Sequence, residues 1–131
     1  MIVGIGIDIV TLGRFKKRLS AELIQELFLH DEIAYCSTQH HNEANYAARF
    51  GAKEAVFKAL GAGLEQGVRW HDVEVVKEDS GAVHLQLSGK AAELAAEKSV
   101  THTHLSLSHS RDNAIAMVVL ENCTTSPEEE F

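Results

Sequence analysis

The chain has 131 residues, 45% of them hydrophobic, and a formal charge of −7. That length suits one domain with one core, and the composition excludes collagen, coiled coil and large-scale disorder. The acidic balance is a poor match for a general nucleic-acid or membrane-surface binder.

Two cysteines, Cys36 and Cys123, with no CxxC spacing, argue against a disulfide framework and for a reducing, cytoplasmic setting. No apolar run reaches the ~18–20 residues of a membrane span. The apolar N-terminal run is interrupted by Asp8 and followed, not preceded, by basic residues, unlike a signal peptide. We expect a single domain over residues 1–123 and a polar tail over 124–131.

In chain order, Ile2 to Val10 reads as a strand. Ile5, Ile7 and Ile9 alternate with Gly4, Gly6 and Asp8, which predicts a buried isoleucine face. The glycines on the other face mark a close approach to the backbone, with Asp8 beside them. Thr11 is positioned to cap a short helix carrying Arg14, Lys16, Lys17 and Arg18, and Ser20 a second one. A further turn starts near Asp31.

Residues 43–60 form the strongest helical pattern, stopping at Gly61. Phe50 and Phe57 make one apolar patch. Ala48, Gly51, Ala52, Ala55 and Ala59 make a small-residue side, and Glu54 and Lys58 lie one turn apart between the two. Residues 68–77 and 83–87 predict paired strands, and 90–98 a helix. Residues 102–108 and 114–120 predict a second strand pair about a turn at 111–113. The fold class is α+β, with a mostly antiparallel sheet and a long central helix.

Several side chains are candidates for chemistry. Asp8, held on a strand with glycines clearing space beside it, suits a hard cation such as Mg²⁺. Read alone, it equally suits a strand-end turn. Glu54 pairs either with Lys58 or with a metal. Arg49, Lys53 and Lys58 are either helix-surface charge or a polyphosphate clamp.

Residues 1–18 carry four basic side chains and one acidic one, so Arg14 to Arg18 form either a solvated face or a docking patch for an acidic protein. His102 and His104 share a strand face, yet no third ligand has zinc-like spacing. Ser106, Ser108 and His109 lie near a strand end without a GxSxG elbow, and such side chains also suit phosphate. The N-terminal glycines lack the pattern of a dinucleotide fingerprint, and no Walker motif is present.

The order Gly4-Ile-Gly-Ile-Asp8-Ile-Val, Arg14, Arg49-Phe-Gly-Ala-Lys-Glu54-Ala-Val-Phe-Lys58-Ala-Leu-Gly61 and Ser106-Leu-Ser-His109 resembles the holo-acyl-carrier-protein synthases, small bacterial 4′-phosphopantetheinyl transferases. The resemblance covers about residues 2–121. It implies a 4′-phosphopantetheinyl transferase-like fold and transfer of phosphopantetheine from coenzyme A to a serine of apo-acyl carrier protein, with release of 3′,5′-ADP, for fatty acid biosynthesis.

Residue by residue, the resemblance implies Asp8 and Glu54 as Mg²⁺ ligands and Lys58 against the coenzyme A pyrophosphate. Arg49, Gly61, Ser108 and His109 fall at coenzyme A-binding positions. Arg14, with Lys17 and Arg18, would dock the acidic carrier protein. A homotrimer with active sites at subunit junctions is implied as well. Gly51 and Leu60 depart from the pattern, where Ala and Phe are expected. A non-catalytic binding module for an acidic protein and a metal-dependent phosphohydrolase of coenzyme A-like pyrophosphates are the competing classes.

Overall fold

A computed structural model describes residues 1–124. Of the expected tail only Thr124 falls within this range, and the rest lies outside the described residues. The chain runs β1 (Ile2–Thr11), α1 (Leu12–Arg18), α2 (Ala21–Leu27), α3 (His30–Cys36), α4 (Asn42–Leu60), β2 (Val73–Lys77), β3 (Val83–Leu87), α5 (Gly89–Glu97), β4 (His102–His109) and β5 (Asn113–Glu121). Two 3₁₀ turns, Leu64–Gln66 and Trp70–Asp72, join α4 to β2. No helix among the described residues is long and apolar enough to cross a membrane.

All strand pairing is antiparallel. One sheet has the order β1-β5-β4, and β2 with β3 forms a second. The central helix α4 is buried on most of its circumference, as its all-round apolar character requires. Along its C-terminal half Ala52, Val56 and Leu60 cluster with Val73, Val75, Leu85, Val118 and Leu120. Along its N-terminal half Tyr46, Ala47 and Ala48 cluster with Val10, Phe15, Leu27, Phe28 and Cys36. Gly61 ends the helix in the left-handed region (φ 70°) that favours glycine. Both cysteines are free, and burial raises the Cys36 thiol to about 11.

The structure reverses one sequence expectation. The isoleucine face of β1 is exposed: Ile5 is 62%, Ile7 54% and Ile9 62% accessible. The glycine face is the one that meets the core. A Cβ on Gly6 would lie 1.9 Å from the Ala55 carbonyl oxygen, and one on Gly4 2.1 Å from that of Ala59. A period of two shows that two faces differ, not which one is covered. Here α4 comes so close that its own carbonyls touch β1, and only glycine permits that.

Smaller differences have local causes. The strand expected from Val68 begins at Val73, because the Asp72 carboxylate accepts the Arg69 N–H (3.1 Å) and closes a 3₁₀ turn. Thr11 does not cap α1 through its side chain. The Leu12 N–H donates instead to the Asp112 carbonyl (2.9 Å) in the β4–β5 turn. Ser20 does cap α2, accepting the Leu23 N–H at 3.1 Å.

Candidate active site

The site follows from a match of repeats. Four helical residues rise about 6 Å and two strand residues about 7 Å, so α4 lying antiparallel on β1 stays in step with it. Ala59 packs on Gly4, Ala55 on Gly6, and Gly51 faces Asp8, whose Oδ2 is 3.9 Å from where a Gly51 Cβ would stand. The small-residue row of α4 is therefore the track on which β1 lies. The adjacent row, Glu54 and Lys58, comes out beside β1, which is an edge strand. Lys58 Nζ donates to Asp8 Oδ1 (2.9 Å) and to the carbonyl of Ile7 (2.9 Å).

Asp8 lies close enough to Glu54 to act on its carboxyl. Burial is the main cause that raises the Glu54 carboxyl above its ordinary value. The charge of Asp8 raises it further, and Lys58 offsets part of the shift. A carboxyl whose folded pKa is raised gives up stability as pH climbs through that value. The cost is absent below the unfolded value near 4.5 and grows as pH rises above it. Glu54→Gln is therefore expected to raise the midpoint of thermal unfolding at pH 7 in metal-free buffer, with the gain shrinking toward pH 4. Paired melting curves at the two pH values check this.

Asp8 and Glu54 line a groove of about 630 Å³. Its wall is apolar, with Phe15, Leu23, Leu27, Phe50 and Trp70, and Arg14 and Arg18 bring positive charge to it. Lys17 is exposed on the same short helix but does not line the groove. Among the described residues no three His, Cys, Asp or Glu side chains are arranged to hold a metal. The carboxylate pair still fits a hard divalent cation. Such ions take one or two carboxylates and complete their shell with water and phosphate oxygens, and a cation would offset the burial and the Asp8 charge that raise Glu54.

Other predicted residues sit elsewhere. Arg49 is 4% exposed, stacked on the Tyr35 ring at 4.7 Å. It donates to the Asn45 carbonyl (3.3 Å), while its Nε has no partner. It lines a separate cavity with Asp31, Glu74 and Lys77. Lys53, a candidate for a phosphate clamp, is fully buried and paired with Glu32 at 2.9 Å, so it is not available to a ligand.

His109 lines a third cavity, of about 680 Å³, with Lys16, His41 and Arg111. Ser108 points to the opposite face of the sheet, in register with Ile115 and Ile9. Gly61 stands open at the end of α4, with nothing within 4 Å of where a Cβ would stand. Within one chain, then, Asp8, Glu54, Lys58, Arg14 and Arg18 come together, and Arg49, Ser108 and His109 do not join them.

Two participants were not legible in the sequence. Trp70 forms part of the groove wall, and Glu32 is the partner of Lys53. Glu32 carries no local mark, since it follows His30 and Asp31 at the start of α3 and reads as one more first-turn acid.

Comparison with known proteins gives the family. A family model described as the 4′-phosphopantetheinyl transferase superfamily matches residues 4–118. The holo-acyl-carrier-protein synthase of Geobacter metallireducens is 48% identical over 124 residues, covering 92% of this chain and 98% of that protein. The Bacillus anthracis holo-acyl-carrier-protein synthase, solved in complex with CoA (3′,5′-ADP), superposes with a TM-score of 0.78 at 36% identity, covering 93% of this chain and 98% of that one. The Helicobacter pylori enzyme in complex with coenzyme A gives 0.77 at 29%, covering 89% and 99%. With a family model matched over residues 4–118 and a relative 48% identical over most of its length, the chain belongs to the 4′-phosphopantetheinyl transferase superfamily.

Proposed function

We propose that this protein is a holo-acyl-carrier-protein synthase, which moves the 4′-phosphopantetheine arm of coenzyme A onto a serine of apo-acyl carrier protein and releases 3′,5′-ADP. The observation that carries this reading is the convergence of Asp8, Glu54 and Lys58 at the open edge of β1, at a groove bearing Arg14 and Arg18. The serine oxygen forms a new bond to the phosphorus bearing the pantetheine arm. The bond from that phosphorus to the bridging oxygen breaks, and the serine proton passes to water or to a site carboxylate. Such a transfer asks the protein for positioning and charge more than for covalent chemistry.

Asp8 and Glu54 would hold Mg²⁺. When bound, the ion supplies charge neutralisation at the phosphoryl oxygens. Lys58, 55% exposed at its side chain and already paired with Asp8, would add positive charge toward the pyrophosphate of a bound coenzyme A. Arg14 and Arg18, with Lys17 outside the groove, attract and orient an acidic carrier protein. These roles fit one cytoplasmic domain over residues 1–123 serving fatty acid biosynthesis.

The test is intact-mass analysis of an apo-acyl carrier protein incubated with the protein, coenzyme A and Mg²⁺. A mass gain of one phosphopantetheine arm is expected. It should fall at least ~100-fold in rate for Asp8→Asn and Glu54→Gln and vanish with EDTA. Coenzyme A cleavage with an unmodified carrier would instead indicate a phosphohydrolase. Binding of the carrier without modification would indicate a docking module.

A homotrimer accounts for two further observations. Ile5, Ile7, Ile9, Ile115 and Met117 leave one sheet face apolar and exposed, an arrangement that soluble monomers rarely keep. His109, outside the groove of its own chain, would complete a neighbour's site, and Ser108, Arg49 and Gly61 remain candidates for the coenzyme A contacts there. Ile7→Glu is expected to convert the assembly to monomer by sedimentation and to lower transfer with it. An unchanged sedimentation coefficient would remove the role of this face.

A further inference from the structure

Lys53 precedes Glu54 and points the other way, into the protein. Its ammonium donates to Glu32 Oε1 (2.9 Å), to the Trp70 carbonyl (3.2 Å) and to the Val73 carbonyl. An ammonium has three N–H donors, and all are used. Glu32 is equally engaged: Oε1 also accepts the Leu29 N–H (2.9 Å) and Oε2 the Val75 N–H (2.9 Å). Both side chains are completely buried.

Stability alone is a weak reason for such a pair, since an apolar pair of the same shape often does as well. What the pair supplies is direction. It ties the start of α3, the 3₁₀ turn at Trp70 and the first residues of β2 to one point on α4. Trp70 is the residue in that set that reaches the groove. Its ring packs on Phe50 (5.3 Å) and Phe57 (5.0 Å), which stand on α4 on either side of Glu54.

We propose that Lys53 and Glu32 are a positioning pair, which holds the Trp70 wall of the groove at a set place relative to Glu54 and so fixes how the carrier protein seats. Lys53 acts through the Trp70 carbonyl, and neither charged group touches substrate. This inference rests on the transferase reading above. Its first readout does not, because Trp70 is the only tryptophan in the chain and its fluorescence reports the wall directly.

The experiment compares wild type with the double variant E32Q/K53M, which removes both charges together and keeps the shape. The expected result is a Trp70 signal more readily quenched by acrylamide, and a KM for the carrier raised ~10-fold with kcat little changed. Trp70→Leu, which leaves the pair intact, is expected to raise the same KM by a similar factor. A wild-type KM in either variant, or wild-type quenching in E32Q/K53M, overturns the assignment. So does a double variant that fails to fold, because the pair is then a folding requirement. Absence of transfer by the wild-type protein would instead overturn the transferase reading, with the quenching comparison still deciding whether the pair holds Trp70.

Discussion

Gly6→Ala is expected to destabilise the protein by ~3 kcal/mol or more, the upper end for overpacking, and to lower its melting temperature by roughly 10 °C. The new Cβ would lie 1.9 Å from the Ala55 carbonyl oxygen and 3.0 Å from the Ala59 nitrogen. Both are helix backbone atoms that cannot turn aside. β1 and α4 must separate, by an ångström or so, and the two metal-ligand candidates ride on the two elements that part. A misplacement of that size costs ~100-fold in rate. The same methyl group should therefore reduce both melting temperature and transfer, although residue 6 carries no functional group. Gly13→Ala, at a position with nothing within 4 Å, is the matched control and should leave the melting temperature nearly unchanged.

Lys53→Met alone is expected to cost ~3–5 kcal/mol, the usual penalty for leaving one member of a buried pair without the other. Glu32 would remain fully buried with two backbone N–H donors and no cation. Adding Glu32→Gln should recover most of the loss, which a double-mutant cycle by urea denaturation would read as a large coupling energy. The pH dependence has a definite sign. An unpaired buried carboxyl takes up a proton as pH falls, so the deficit of Lys53→Met relative to wild type should be larger at pH 8 than at pH 5. A small, pH-independent deficit would mean that the site relaxes and admits water to Glu32.

Much of this protein could be read without coordinates. The helix α4, its stop at Gly61, the hairpin strands and the α+β class all follow from local preference and periodicity, because those signals act within a few residues. Asp8 and Glu54 each stood out singly with alternatives open, and only the family resemblance made them a pair. The glycines beside Asp8 and the small residues of α4 are two halves of one close contact, and each half carries its own mark in the chain, but no local signal says that the halves meet. Arg14 and Arg18 stand out because a basic cluster is conspicuous in an acidic chain.

What the sequence determined by itself, then, is which elements form and which residue types are set aside for close approach and for charge. Tertiary structure decided which face of β1 meets the core. Alternation distinguishes two faces but cannot say that α4 lies on the glycines and leaves the isoleucines exposed. It also decided which lysine of α4 serves which purpose. Lys53 and Lys58 are five residues apart on one helix, a spacing that rotates them about 140° from each other. One faces Glu32 in the interior and the other faces Asp8 at the edge of the sheet. That rotation is set by the packing of the small-residue row against β1, a contact between segments some fifty positions apart that no local pattern contains.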